Sequence, residues 1–503
     1  MTTIASTWRQ SKPAAPVLWF ALAALLIAVA VASVTMAQPV LLLAALVVIP
    51  AAATLFMWPE LATIVVMFIL YSNAAVVAVK FHGVPMMFAA AVPLLLLVPA
   101  SRNVFSQGRG IVLTPAMPFI AAFIVVQLAG AMFAPRPSVA LDKVFTSIAE
   151  GAVLYVLIVN IVRTPRALKQ VLWTLCAAGA FMGAVVAHQQ VTRNFDFEYG
   201  GFGQVTEAVY VADKENGSDE DGQPRLAGPI GEKNRYGQVM AMVLPVAMFL
   251  FLSATGTREK ALAMGAFLLI GIGIAASLSR GAAIGLAIVF VMMVAFGYIR
   301  LSHLWILLPG ILVAAIVVPD YAARLGSLQA VAGILGFEDD RHAKGPDGSL
   351  RGRATEMIAG VLMFGDHPVI GVGPGMYHFH YRRYAKKAGG KVEFGGRQAH
   401  SLYLGMAAEH GLLGLLAFTG ILWVTLRDMF RARTYWLARR LDMANITTGL
   451  IAALIVYLTS AIFLHMAYAR YFWVMLAVST TVSCLANDRE PGTARTFRAG
   501  EMS

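Results

Sequence analysis

Apolar stretches long enough to cross a lipid bilayer follow one another along most of this chain. Of its 503 residues, 59% are hydrophobic and only 13% are charged. A water-soluble domain of this length has too little interior to bury so much apolar surface, whereas a bilayer accepts it. Because an apolar segment of about 20 residues crosses a bilayer as a helix, the sequence indicates an all-α, polytopic membrane protein.

A sliding window of about 19 residues predicts about 14 transmembrane helices. The predicted spans are residues 17–36, 40–57, 61–79, 84–98, 115–133, 148–162, 171–188, 238–252, 261–278, 282–298, 304–318, 402–426, 446–464 and 472–485. The first span has no clear cleavage site behind it, so we expect it to be retained. The long polar loop 319–401 is expected to lie outside the bilayer and to contain short helices.

Loop charge predicts how these spans are oriented. With 14 spans, most of the loop arginines and lysines fall on one side: Arg102, Arg109, Arg163, Arg166, Lys169, Arg258, Lys260, Arg300, Arg427, Arg431, Arg433, Arg439 and Arg440. By the positive-inside rule this side is cytoplasmic, and both termini lie there. The long loops 189–236 and 319–401 then face outward, on the side opposite to the cytoplasm. The net charge of +12 is explained by orientation and does not indicate nucleic-acid binding.

The chain divides into four predicted parts. Residues 1–190 form N-terminal transmembrane helices, and residues 191–430 form a core that includes the outer loop 319–401. Residues 431–486 form C-terminal transmembrane helices, and residues 487–503 form a polar cytoplasmic tail.

Three arginines are expected at the same outer boundary. Arg280 lies between two spans that almost no loop separates, and Arg225 and Arg235 precede the span that begins at residue 238. A guanidinium at this depth either extends to lipid head groups or binds an anion. The clustering of three arginines, and the helix N-terminus expected after Ser279, favour an anion.

His400 opens the span that follows the long loop. A histidine at an interface often only caps a helix or contacts head groups. The basic loop before it and Glu409 within the same helix favour a chemical role. Glu409 is expected about 13 Å deeper, where a carboxylate needs a partner. Pairing with an arginine or tyrosine of the bundle is the simpler interpretation of Glu409.

The long loop supplies further candidates for substrate contact, namely Arg351, Arg353 and Tyr377. Its glycine-rich turn, residues 371–375, sets a tight bend. His378 and His380 share a face only if that segment is extended, and no cysteine or nearby carboxylate completes a metal site. No metal or cofactor is predicted.

Four motifs, in this order, resemble the O-antigen ligase and polymerase superfamily, and the resemblance extends from Arg225 to Gly414. They are Arg225 with Gly228-Pro229 and Asn234; Ser279-Arg280-Gly281; Asp366-His367-Pro368 with Gly371-Val372-Gly373-Pro374-Gly375; and His400-Ser401 with Glu409-His410-Gly411-Leu412-Leu413-Gly414. The family consists of bacterial inner-membrane enzymes that take a glycan from undecaprenyl diphosphate on the periplasmic side.

This resemblance implies roles for the candidate residues. Arg280, Arg225 and Arg235 would hold the diphosphate, and His400 would be the catalytic residue, with Arg280 beside it. Guanidinium groups neutralise a leaving diphosphate without a metal, and a histidine accepts the proton of the attacking hydroxyl. Direct displacement would invert the anomeric centre. Other envelope polysaccharide assembly proteins are possible partners.

The acceptor distinguishes two activities within this family. A polymerase of O-antigen or exopolysaccharide extends another carrier-linked glycan, whereas a ligase transfers the glycan to the lipid A–core of lipopolysaccharide. The length of the chain and its many spans favour a polymerase. However, a polymerase pattern of Arg followed by Gly after ten residues is absent at Arg225 and Arg353, so the ligase remains the alternative. A lipid-linked glycan transporter is a further alternative, although no internal repeat supports it.

Overall fold

The computed structural model describes residues 57–205, 225–300, 348–389, 397–466 and 469–487. The described helices, numbered in chain order, are α1 Pro59–Tyr71, α2 Ala74–His82, α3 Met86–Phe105, α4 Met117–Met132, α5 Pro137–Ile161, α6 Pro165–Thr192, α7 Lys233–Ser253, α8 Thr257–Ser277, α9 Arg280–Ala295, α10 Gly348–Asp366, α11 Tyr377–Lys387, α12 Leu402–Leu437, α13 Leu441–Ser460 and α14 Ala469–Asn487. The all-α prediction is confirmed.

A few shorter features interrupt these helices. A 3-10 segment, Val92–Leu96, lies within α3, and a π-helical turn, Arg102–Ser106, overlaps its end. A second π-helical turn, Ile148–Val153, lies within α5. In the loop after α6, a 3-10 turn, Tyr199–Gly201, precedes two short strands, β1 Gln204–Val205 and β2 Leu226–Gly228, which pair antiparallel. The two strands lie within the predicted loop 189–236.

Every predicted span within the described part of the chain corresponds to a helix or to a pair of helices. Eight described helices are long and apolar enough to cross a membrane, and the bent pair of α1 and α2 makes up to nine. α4 and α9 are apolar but have only 16 residues each, about 24 Å. The predicted spans 17–36 and 304–318, and nearly all of 40–57, lie outside the described residues, so the total of about 14 stays a prediction.

The predicted span 61–79 is a broken helix. α1 and α2 are bent by 59° at Ser72 and Asn73. Asn73 has a φ of 61°, in the left-handed region that asparagine tolerates better than most residues. Its side-chain amide donates a hydrogen bond of 2.7 Å to the carbonyl oxygen of Pro229. This hydrogen bond connects the bend between α1 and α2 to the loop that leads into α7.

One apolar core joins most of the helices. α7 packs along α8 and α13, α6 packs along α8, and α12 packs against α4, α13 and α14. These contacts cross the predicted boundaries near residues 190 and 430. Helices from three of the four predicted parts share this core. The division of the chain into four parts therefore stays a prediction.

Local capping fixes where two of these helices begin. The hydroxyl of Thr164 accepts from the backbone N–H of Ala167 at 3.1 Å, at the start of α6. The carboxylate of Glu232 accepts from the N–H groups of Asn234 and Arg235, at 3.0 and 2.9 Å, at the start of α7. An acidic cap is favourable there because the N-terminus of a helix carries partial positive charge.

The helix ends define two opposite faces of the bundle. At the first, which we call the basic face, α6 and α13 begin and α7 ends. There the ammonium group of Lys169 lies 3.0 Å from the carboxylate of Asp442, whose carbonyl oxygen accepts from Ser253. At the second, which we call the histidine face, α7, α9, α12 and α14 begin and α8 and α13 end.

Candidate active site

His400 is positioned by an uncommon backbone conformation at the histidine face. Its φ is 43°, in the left-handed region that non-glycine residues adopt rarely and at some cost in strain. Immediately after it, the N–H of Leu402 donates to the carbonyl oxygen of Ala461 at 2.8 Å. The hydroxyl of Tyr403 donates to the carbonyl oxygen of Leu458 at 2.9 Å. The start of α12 is thus fixed to the end of α13.

A buried carboxylate contacts the imidazole of His400. Glu356, on α10, has only 1% of its side chain exposed, and its Oε2 lies 3.3 Å from Nε2 of His400. Its Oε1 accepts a hydrogen bond of 3.3 Å from the guanidinium of Arg397. Sequence reasoning missed Glu356. Its spacing from Ala359 and Met363 on one buried face of α10 was the available signal, because a carboxylate on an apolar face needs a partner.

A second histidine lies beside the first. The ring centroids of His400 and His465 are 5.7 Å apart, in an edge-to-face arrangement. His465 follows α13 in the chain, and sequence reasoning missed it as well. In the described residues, Nδ1 of each ring is buried and has no hydrogen-bond partner. For His400, one ring nitrogen thus faces Glu356, and the other is buried without a hydrogen-bond partner in the described residues.

The surroundings keep both imidazoles neutral at ordinary pH. Burial, together with the positive charges of Arg353 and Arg235, lowers the pKa of His400 from 6.5 to about 4. Burial, again with the charge of Arg235, lowers the pKa of His465 to about 2. A neutral imidazole at pH 7 is able to accept a proton.

Arg235 connects the histidines to the start of α7. It is almost wholly buried, and its guanidinium donates a hydrogen bond of 2.6 Å to the carbonyl oxygen of His465. Its Nε lies 3.8 Å from the carboxylate of Glu232. The structure therefore brings Arg235, one of the three predicted arginines, next to the pair of histidines.

Arg225 is engaged with the turn that precedes Arg280. Its Nε and one terminal nitrogen donate to the carbonyl oxygen of Ser277, at 3.2 and 3.0 Å. The same terminal nitrogen also donates to the carbonyl oxygen of Leu278 at 2.9 Å. Leu278 has a φ of 51°, which is unfavourable for a leucine. Arg225 therefore stabilises a strained turn, and its predicted contact with a diphosphate stays a prediction.

Arg280 is the first residue of α9 and is partly buried. Ser279 caps this helix, its hydroxyl accepting from the N–H of Ala282 at 3.4 Å. A short series of contacts joins the two ends of the site: Arg225 holds the turn before Arg280, Arg225 also donates to Asn234, and the adjacent Arg235 contacts His465. Arg280 and His400 thus lie on the same face of the bundle.

Glu409 binds backbone N–H groups of the glycine-rich turn. Its two carboxylate oxygens accept from the N–H groups of Gly375 and Tyr377, at 3.0 and 3.1 Å. The sequence predicted an arginine or tyrosine side chain as the partner of Glu409, whereas these two hydrogen bonds come from backbone N–H groups. Tyr377 is itself buried, and its hydroxyl donates to the carbonyl oxygen of Glu356. Both residues therefore support the helix that carries Glu356.

The remaining predicted residues lie in or near α10 and α11. The charge of Arg353 acts on His400, which places Arg353 near the site, whereas the side chain of Arg351 lies outside the described residues. His378 and His380 lie on the helix α11 and not on an extended segment. Within the described residues, no three or more His, Cys, Asp or Glu side chains are grouped to hold a metal ion. Short helices were predicted within residues 319–401, and α10 and α11 lie there in the described part of the chain.

Fold and site together define a class of protein. It is an all-α, multi-pass membrane protein in which arginines and a histidine lie at helix ends on one face. Residues 264–419 match the family model described as O-antigen ligase, which supports membership of the O-antigen ligase and polymerase superfamily. The matched segment includes Arg280, Arg353, Glu356 and His400. No curated protein matches the chain. The resemblance seen in the motifs is confirmed.

The family match indicates the general type of function. The match supports a glycan-transfer function of the O-antigen ligase and polymerase type. Together with the apolar helices, it also supports a multi-pass inner-membrane protein. A lipid-linked glycan donor and a glycan acceptor are the substrates that the family implies.

Proposed function

We propose that the chain transfers a glycan from undecaprenyl diphosphate to a sugar hydroxyl at the periplasmic face, as a polysaccharide polymerase, with His400 as the general base. The observation that carries this proposal is the contact between Nε2 of His400 and the buried carboxylate of Glu356, at 3.3 Å. A base held in one orientation by a carboxylate is a recurring arrangement in enzymes that activate hydroxyl groups.

The proposal gives each ring nitrogen of His400 a role. In this proposal Nε2 carries the proton and faces Oε2 of Glu356 at 3.3 Å. The lone pair is then on Nδ1, which has no hydrogen-bond partner among the described residues. The acceptor hydroxyl approaches Nδ1, its oxygen attacks the anomeric carbon, and its proton passes to Nδ1. The bond from that carbon to the diphosphate breaks at the same time, and the anomeric centre is inverted. Glu356 then stabilises the imidazolium.

The arginines supply the charge that the leaving diphosphate needs. Arg280 begins α9, where the guanidinium and the helix N-terminus both favour an anion. Arg235 is near enough to lower the pKa of His400. Arg225 positions the turn before Arg280. We propose that its charge acts on the diphosphate from farther away than the charge of Arg280. Guanidinium groups neutralise a diphosphate without a metal, so we propose a metal-independent reaction.

Ligation to lipid A–core is the second candidate. The observation that favours it is the description of the matched family as O-antigen ligase. The argument for a polymerase from the number of spans rests partly on residues outside the described part. A transporter is disfavoured because the polar residues of the site lie at helix ends on one face and not midway along the helices.

The test uses purified protein and a purified undecaprenyl-diphosphate-linked glycan. We expect His400→Ala to reduce transfer by about 10³-fold or more, the contribution of a general base, while membrane insertion is retained. His378→Ala, a histidine on α11 outside the site, is the matched control and is expected to remain active. Near-normal transfer by His400→Ala would remove His400 from the mechanism.

The same purified system separates the two acceptors. A carrier-linked repeat as acceptor gives a ladder of longer glycans if the chain is a polymerase. Lipid A–core as acceptor gives one modified lipid if it is a ligase. A ladder with no product on lipid A–core supports the proposal, and the reverse result supports the second candidate.

A further inference from the structure

A cavity of about 190 Å³ opens at the basic face, on the side opposite to His400. It lies where α1 and α6 begin and where α3 ends. Polar and charged residues from these three segments line it: Glu60, Arg102, Asn103, Gln107, Arg109, Thr164, Arg166 and Gln170. Three arginines against one glutamate give the cavity an excess of positive charge.

Arg102, Arg109 and Arg166 have no ion-pair partner within the described residues. Nearby, Arg163 donates to the carbonyl oxygen of Gly110 at 3.1 Å, and Lys169 pairs with Asp442. Arg102, Arg109 and Arg166 all line the cavity. Guanidinium groups that share a recess bind phosphate oxygens in bidentate fashion. The cavity therefore has the chemistry of a phosphate site.

An apolar groove continues from this cavity along the bundle. The groove has a volume of about 460 Å³, and Ile64 and Gln170 line both it and the cavity. Its other lining residues, all from α1 and α6, are Val65, Phe68, Ile69, Trp173, Thr174 and Ala177. Cavity and groove together form one surface with a polar end and an apolar end.

The length of the groove matches one leaflet of a bilayer. Ala177 comes 12 residues after Pro165, the first residue of α6, which is about 18 Å along the helix. Ile69 comes 10 residues after Pro59, the first residue of α1, or about 15 Å. Half of a hydrocarbon core of about 30 Å has the same extent.

We propose that this surface binds a glycerophospholipid with an anionic head group from the leaflet at the basic face. The arginines bind the phosphate, and the amides of Gln107 and Gln170 contact the glycerol and ester oxygens. One acyl chain occupies the groove between α1 and α6. An isoprenoid phosphate fits less well, because it has no ester or glycerol oxygens for the amides and its chain is longer than one leaflet. This site is separate from the site of glycan transfer.

The first experiment measures lipid binding to the delipidated full-length protein by native mass spectrometry. The probes are phosphatidylglycerol, phosphatidylcholine and undecaprenyl phosphate. We expect phosphatidylglycerol to bind about tenfold more tightly than phosphatidylcholine. Equal affinity for these two lipids overturns the anionic preference. Tighter binding of undecaprenyl phosphate than of phosphatidylglycerol overturns the assignment of the occupant.

Two pairs of variants locate the site. The double substitution Arg102→Gln and Arg166→Gln is expected to lower phosphatidylglycerol affinity about tenfold, whereas Arg258→Gln, an exposed arginine on the same face outside the cavity, leaves it unchanged. Ala177→Trp fills the groove and lowers the affinity as well. Its control is Ser101→Trp, in a separate apolar groove of about 250 Å³ that shares no lining residue with the cavity.

Full retention of binding by the double variant or by Ala177→Trp contradicts the proposal. If either variant fails to fold, the comparison of phosphatidylglycerol with phosphatidylcholine on the wild-type protein still decides it.

Discussion

His400 depends on two neighbours that lie far from it in the sequence. Its left-handed φ of 43° turns the chain just before α12, and the backbone bond from Leu402 to Ala461 fixes that turn. Glu356 approaches the ring from α10, 44 positions earlier in the chain. Strained backbone of this kind persists where surrounding contacts determine it, and it is frequent at functional sites.

The lowered pKa of His400 predicts an unusual dependence of transfer on pH. Because the folded-state pKa is about 4 and the ordinary value is 6.5, the ring stays neutral and competent as a base well below pH 6.5. We expect kcat/KM for transfer to be level from pH 8 to about 5.5 and to fall only as the pH approaches 4. A fall centred near pH 6.5 would contradict this environment for His400.

The same shift affects the stability of the protein. The unfolded chain binds a proton at this histidine near pH 6.5, whereas the folded chain does so only near pH 4. The contribution of the neutral, buried ring is therefore fully present above pH 6.5 and is lost as the pH falls from 6.5 towards 4. Thermal unfolding of His400→Ala should depend less on pH over this range than unfolding of the wild-type protein.

Glu356 is a positioning residue, and its substitution is expected to affect turnover more than binding. Glu356→Gln keeps the size of the side chain but removes its charge, so it no longer stabilises the imidazolium. We predict a decrease in kcat of about 100-fold, with KM for the donor nearly unchanged. Glu259→Gln, an exposed carboxylate at the basic face, is the matched control. An unchanged kcat for Glu356→Gln would show that His400 acts without Glu356.

Arg280 is expected to require a guanidinium and not only a positive charge. Arg280→Lys keeps the charge but loses the planar fork that binds two phosphate oxygens. We predict that Arg280→Lys lowers kcat/KM about tenfold or more on the purified donor, and that Arg280→Ala abolishes transfer. Arg383→Lys, an exposed arginine of α11, should have no effect. If Arg280→Lys had the kinetics of the wild-type protein, a bidentate contact of Arg280 with the diphosphate would be contradicted.

At the scale of elements, the glycine-rich turn is joined to α12 by direct backbone contacts. α12 is interrupted at Gly411, where the backbone leaves the helical conformation. The N–H groups of Val372 and Gly373 donate to the carbonyl oxygens of Ala408 and Glu409, at 2.9 and 3.0 Å. The N–H of Leu412 donates to the carbonyl oxygen of Pro368 at 2.7 Å. The turn thus satisfies backbone groups that the break exposes.

This contact predicts a sharp difference between two glycine substitutions. A Cβ at Gly371 would lie 2.4 Å from the carbonyl carbon of Glu409, whereas a Cβ at Gly389 meets nothing within 4 Å. Both glycines have positive φ, at 71° and 67°, so both alanine variants carry the same backbone strain. We expect Gly371→Ala to lower stability by about 2 kcal/mol more than Gly389→Ala, measured by thermal unfolding in detergent. Equal effects would show that the turn is not tightly packed.

The sequence predicted the helices of the described part well because hydropathy over 19 residues reports directly on burial in a bilayer. It also predicted the helix that begins at Arg280 and the placement of His400 at the mouth of α12. It did not predict the break at Gly411 or the partners of Glu409, because those bonds join the turn to α12 across more than 30 residues. His465 was missed because nothing in its own segment, Phe463-Leu464-His465, distinguishes it from an ordinary interface histidine.

At the scale of the whole molecule, the helix directions place the candidate active site and the arginine-lined cavity on opposite faces. The positive-inside rule predicts that the basic face is cytoplasmic. Thr192, at the end of α6, and Thr257, at the start of α8, are exposed on opposite faces. In intact cells, we expect a membrane-impermeant maleimide to label Thr192→Cys but not Thr257→Cys. The reverse pattern would place the histidine face in the cytoplasm.

A structure of the protein with its lipid-diphosphate-linked donor, determined by electron cryomicroscopy, tests the central claim most directly. The account predicts the diphosphate against the guanidinium of Arg280, with the anomeric carbon facing the Nδ1 side of His400 and leaving room for an acceptor hydroxyl between them. A diphosphate bound away from both residues, or an imidazole of His400 separated from the sugar by packed side chains, would contradict it.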